Sequence, residues 1–139
     1  MCLVSFRSAS VAMPTYSVSV TGLQLKGPVA YLRFAWRAPA AARAAHNFEG
    51  NVHASTHSEQ MPNAEGEMRT TQMTLTVWES RAATMKYVAS KEHKAASALW
   101  SQIASYGKLC HYESSTVPTW DEAKMMWLEH GKVYSRPCC

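Results

Sequence analysis

From Met68 to Trp78, Arg69, Thr71, Met73, Leu75 and Val77 alternate with Thr70, Gln72, Thr74 and Thr76. That period-two pattern predicts a strand with one apolar face and one hydroxyl-rich face. No linker follows it. Ser80 stands where a helix N-cap belongs, and Met85, Val88, Ala96, Leu99, Trp100 and Ile103 then recur at three- and four-residue steps until about Tyr106, with a break near Ser90 and Lys91. The chain must therefore fold so that a sheet passes directly into a helix.

The remaining segments fill in around this joint. Tyr16, Val18 and Val20 alternate with Ser17 and Ser19 in a first strand. The apolar parity flips after Gly22 to Leu23 and Leu25, which predicts a bulge at that glycine. Pro28 opens a first helix that runs to about His46, and Pro39 predicts a kink or a division into two helices near Ala38. Asn47 to Asn51 reads as a turn, Val52 to Ser58 as a weak polar strand, and Glu59 to Gly66 as a loop. Gly107 ends the long helical stretch and Lys108 to Ser114 forms a fourth strand. Thr119 and Glu122 fit a capping box at the start of a last helix, whose Ala123, Met126, Trp127 and His130 share a face. Gly131 reads as its left-handed terminator, and the tail from Lys132 to Cys139 carries no pattern.

The order is strand, helix, strand, strand, helix, strand, helix: a ferredoxin-like α+β arrangement with an antiparallel sheet, helices on one face and an added C-terminal helix. The sheet's second face needs cover, and an identical subunit packed sheet to sheet would supply it. At 139 residues the chain fits one domain, expected over residues 15–134, with an N-terminal extension at 1–14 and a tail at 135–139.

Composition excludes several classes. No apolar run approaches the length that spans a bilayer, and the N-terminal segment is too short for a secretory core, so a soluble, intracellular protein is expected; it would be cytoplasmic, although the Ser-rich, acid-poor start leaves an organelle open. Net charge is +4, with five basic and no acidic residues in positions 1–48. Lys26, Arg33, Arg37 and Arg43 sit on or beside the first helix, where an acidic partner surface is one reading and a solvated face the other. Nothing resembles a nucleic-acid module, and none is expected to bind. Cys2, Cys110, Cys138 and Cys139 lack zinc-site spacing and disulfide density, which points to a reducing compartment and leaves the fate of the terminal pair open.

The segments Leu75-Thr76-Val77-Trp78-Glu79-Ser80 and Val117-Pro118-Thr119-Trp120-Asp121-Glu122-Ala123 resemble those of the antibiotic-biosynthesis-monooxygenase-like proteins, a superfamily of dimeric α+β barrels. The resemblance covers roughly Tyr16 to Tyr134. It implies a homodimer and a cavity near the strand-to-helix joint. Some members oxidise polycyclic aromatic compounds with molecular oxygen and no cofactor; others degrade haem, using a Trp on the helix and an iron-ligating His about ten residues later. Laid on that pattern, this chain has Tyr87 for the Trp and Ser97 for the His, and residues 15–21 hold no Asn for the iron's neighbourhood. No haem, metal or other cofactor is therefore expected.

His93 lies one turn before Ser97 and is the leading catalytic candidate, with Tyr87 beside it. A neutral His suits a base near neutral pH; capping or packing at the helix break is the alternative. Trp78 and His111 are expected to line the cavity for a flat aromatic ligand, with Tyr31 and Phe34 as its opposite wall, and Trp100 and Trp127 are expected in the core. His53 and His57 would stand about 13 Å apart along a strand, too far for joint chelation. Serine nucleophile elbows, phosphate loops and dinucleotide fingerprints are absent. Two readings remain: a ligand-binding or cofactor-independent monooxygenase-like protein, and a non-catalytic subunit that contacts protein partners through the first helix or the tails.

Overall fold

The computed structural model describes residues 15–133. The N-terminal extension, the end of the tail and Cys2, Cys138 and Cys139 lie outside the described residues. The elements are β1 (Tyr16–Leu25), α1 (Pro28–His46), β2 (Asn51–Pro62), β3 (Met68–Trp78), α2 (Arg81–Val88), α3 (Lys91–Ile103), β4 (Ala104–Ser114), α4 (Trp120–His130) and β5 (Lys132–Val133). All strand pairs are antiparallel, in the order β2-β3-β1-β4-β5. This is the ferredoxin-like α+β fold.

Local chemistry sets the helix boundaries. The Ser80 hydroxyl accepts from the Ala83 amide at 3.1 Å and starts α2. Ser90 both ends that helix, donating to the Tyr87 carbonyl at 2.6 Å, and starts α3, accepting from the His93 amide at 3.2 Å. Thr119 and Glu122 form the capping box at the head of α4. Pro39 does not divide α1, which continues as one helix of 19 residues.

Sheet pairing overrides the weaker local signals. β2 extends to Pro62 because each residue from His53 onward finds a partner on β3, ending at Pro62 opposite Met68. As the end of an edge strand, Pro62 gives up no needed donor. The expected long loop shrinks to residues 63–67. Gly107 lies inside β4 opposite Leu23 instead of closing a helix. Gly131 is extended (φ −66°), not left-handed, and the start of the tail pairs Lys132 and Val133 with Leu109 and Lys108.

The expected bulge at Gly22 is not formed. Pairing with β3 runs unbroken from Ser17 opposite Trp78 to Leu23 opposite Gln72, and the register shifts later, between Gln24 and Leu25. The parity flip has another cause: both faces of the sheet are covered, so apolar side chains are accommodated on either side. Gly22 is required by close approach. A Cβ there would stand 2.6 Å from Trp127 Cζ2.

The apolar face carries Val18, Val20, Met73, Leu75, Val77 and Cys110, and α4 packs Ala123 and Trp127 onto it as the main core. Within the chain, the last helix covers this part of the face. Each fully buried Val or Leu contributes about 1.5–3 kcal/mol. Trp127 donates from Nε1 to the Lys108 carbonyl at 2.7 Å, and Lys108 Nζ lies 4.7 Å above its ring. At the other end, Lys124 Nζ sits 2.9 Å from Glu59 on β2, and the His57 ring lies 5.2 Å from that of Trp120 with the planes tilted by 35°.

Candidate functional site

The hydroxyl-rich face lies under α1, α2 and α3, and the two layers do not close on each other. Between them is a cavity of about 330 Å³, within the usual range for small-molecule sites. Its floor is built from register. Ser19 lies opposite Thr76 and Thr21 opposite Thr74, so alternate residues of β1 and β3 turn their hydroxyls to the same side. Its roof is α1 with Phe34, Ala38, Ala41, Ala42 and Ala45, together with Ala96, Ser97 and Trp100 of α3. No Lys, Arg, Asp or Glu is among the lining residues.

The aromatic wall follows from the joint that dominates the sequence. Trp78 ends β3 and Tyr87 lies two turns into the helix after it, so the chain reversal at Ser80 brings the rings together. They stack at 4.7 Å with planes 25° apart. Phe48 meets both edge-on, at 6.1 Å and 5.3 Å. The Trp78 side chain is fully buried, and its Nε1 has no hydrogen-bond partner among the described residues. An orphaned buried donor costs about 1–3 kcal/mol.

His93 meets the Tyr87 ring edge-on at 5.0 Å and lines the cavity. Desolvation holds its pKa below the ordinary histidine value, opposed by a hydrogen bond to the Val88 backbone. His111 reaches the same cavity from β4, with Nδ1 2.6 Å from Ser19 Oγ. Its pKa is also lowered, by desolvation first and then by the charges of His93 and Arg81. Both shifts favour the neutral ring. Burial, and then the Glu92 charge, pushes the Tyr87 phenol above its usual value, so that group stays a hydrogen-bond donor.

The histidine shift makes a stability prediction. A half-buried His whose folded pKa lies below its unfolded value binds fewer protons when folded, so its contribution is present above about pH 6.5 and is lost as pH falls through the folded pKa. Urea unfolding of the parent is expected to show a stability loss from pH 7.5 to 5.5 that shrinks in His93→Gln. Equal losses in the two proteins would contradict it.

Of the site residues expected from sequence, Phe34, Trp78, Tyr87, His93 and His111 share this cavity. Tyr31 does not: it turns to the outside of α1 and is exposed. Trp100, expected in the core, is instead a cavity wall paired with Phe34 at 5.0 Å, while Trp127 is core as expected. His53 and His57 each engage a neighbour two residues on, Ser55 and Glu59. Sequence reasoning misses Ser19 in the cavity and Phe48, which packs against the Trp78 and Tyr87 rings without lining the cavity. Ser19 carried a signal in the alternation of β1, but Phe48 lies in a turn with none.

No family model and no curated protein matches the sequence. Solved structures do match the fold. A conserved protein from Methanosarcina mazei is 18% identical, with 72% of this chain and 92% of that one covered and a TM-score of 0.58. A variant of SnoaB, a cofactor-independent oxygenase from Streptomyces nogalater, is 12% identical over 76% of this chain and 96% of its own, with a TM-score of 0.55. A dimeric ferredoxin-like protein of unknown function from Jannaschia sp. CCS1 is 15% identical over 71% and 97%, with a TM-score of 0.57. At these identities the likeness is one of fold. The architecture they share with this chain is the ferredoxin-like α+β fold, in agreement with the order of elements expected from the sequence.

Proposed function

We propose that the chain binds a flat, uncharged aromatic compound in this cavity and acts on it as a cofactor-independent monooxygenase-like protein. The observation that carries the reading is the uncharged cavity itself, in which the stacked Trp78 and Tyr87 rings adjoin a neutral His93. Such a wall suits a planar ring system bearing hydroxyl or keto groups. The hydroxyl floor of Ser19, Thr21, Thr74 and Thr76 supplies donors and acceptors.

His93 would accept the proton of a phenolic hydroxyl, and the Tyr87 phenol and the hydroxyls of the floor would hold the resulting anion. The electron-rich anion would itself supply the electrons to molecular oxygen, one oxygen atom bonding to a ring carbon and the other leaving as water, so that a hydroquinone would end as a hydroxyquinone without an added reductant. Ser19 acts on His111 as a positioning residue: its hydroxyl at Nδ1 fixes the ring and leaves Nε2 for a ligand. The same wall also serves simple ligand binding, so binding and turnover are measured separately. Quenching of tryptophan fluorescence by a hydroquinone panel reads binding, and oxygen consumption with the same panel reads turnover. Saturable quenching with oxygen uptake supports the whole reading. Quenching alone reduces it to ligand binding, and neither overturns it.

The reading includes a homodimer, supported by the dimeric relative of the same fold. Light scattering on the purified chain is expected to give twice the 15.5 kDa chain mass, and a monomer at working concentration would refute that part.

A further inference from the structure

We propose that the outer face of α1 docks on an anionic lipid bilayer. Val29, Leu32 and Trp36 are 70%, 72% and 82% exposed. Steps of three and four residues continue that stripe through Ala40 to Arg43, along one side of a 19-residue helix. The opposite side of α1 is occupied as the cavity roof through Phe34, Ala38 and Ala45. Leaving an indole four-fifths in water is unfavourable in the free protein, and insertion into an apolar layer would reverse that.

Charge selects the occupant. Arg33 and Arg37 flank the stripe, Arg43 ends it and Lys26 precedes it, all exposed, while no acidic residue occurs before Glu49. Arg33 bonds the neutral Gln102 at 3.0 Å, and none of the three arginines has an ion pair among the described residues. A second copy docked face to face would bring these arginines together and repel. A stable protein interface takes about 800 Å² and roughly 20–30 residues a side, far more than a three-residue apolar stripe. A bilayer asks for no matched shape. It needs apolar side chains that enter the acyl boundary, an indole at headgroup depth and cations that meet phosphates and carboxylates, and α1 presents all three. Docking does not depend on the chemistry of the cavity, and it would hold that cavity one helix thickness from the lipid.

The test is co-sedimentation of the full chain, without substrate, with vesicles of phosphatidylcholine alone and of phosphatidylcholine mixed with phosphatidylserine. Binding is expected to the mixed vesicles and to weaken as salt rises. Trp36→Ala is expected to lower partitioning about tenfold, and Arg37→Glu with Arg43→Glu about twentyfold or more. All three positions are exposed, and circular dichroism with thermal melting checks that the variants fold. Residues 1–14 and 134–139 stay unchanged throughout, so any affinity they supply is a common background. The proposal is overturned by equal binding to both vesicle types, by variants that bind like the parent, by Trp36→Ala dissociating an oligomer, or by Trp36-dependent binding to polyglutamate without binding to vesicles.

Discussion

His93→Ala is expected to abolish oxygen uptake with a bound hydroquinone, lowering turnover about 10²- to 10⁴-fold, the usual contribution of a positioned general base. Binding is expected to survive, because Trp78, Tyr87, Phe34 and Trp100 remain as walls. The fold is expected to survive as well. The cap of α3 uses the His93 backbone amide on the Ser90 hydroxyl, and alanine keeps that amide. A lowered base pKa also predicts a flat rate from pH 8 to 7 that declines only below the ordinary histidine range. Unchanged turnover in His93→Ala would refute the assignment, and a loss confined to His111→Ala would move the base to β4.

Trp127→Ala is expected to be the most destabilising single change in the described chain, by about 3–5 kcal/mol. That is a large share of the roughly 5–15 kcal/mol by which a domain is stable. Three effects act together. The fully buried indole leaves a cavity above Gly22, the Lys108 carbonyl loses its 2.7 Å donor, and α4 loses its main anchor over Val18, Val20 and Leu75. Chemical denaturation is expected to show a midpoint near the start of the titration, with far-UV signal partly kept and near-UV signal lost. A midpoint close to the parent would show that β-sheet pairing alone holds this face. The same change tests the cover of the apolar face. If a second subunit were its main cover, the variant would keep most of its stability in the dimer.

Much of the architecture was legible because it is written in short-range chemistry. The alternation of β1 and β3 follows from two-residue periodicity, and Ser80, Ser90, Thr119 and Glu122 each satisfy backbone groups within a turn of themselves. The nearness of Trp78, Tyr87 and His93 was also readable, since all three flank one strand-to-helix joint. Less local features were misread. β2 is polar and its length is set by pairing with β3; Gly107 and Gly131 look like helix stops and serve in or beside strands; Gly22 looks like a bulge and is a seat for an indole 105 positions away in the chain.

The amino-acid sequence by itself determined the order of elements from β1 to α4, the N-caps at Ser80 and Thr119 and the two-faced sheet, because periodicity and capping depend on neighbours along the chain. Only the tertiary structure decided which face is which. Met73, Leu75 and Val77 go under α4, and Thr74 and Thr76 go under α1 to α3 as the floor of a cavity. Periodicity divides a strand into two faces but carries no sign; the sign comes from where Trp127 and the roof of α1 come to rest, contacts that span most of the chain.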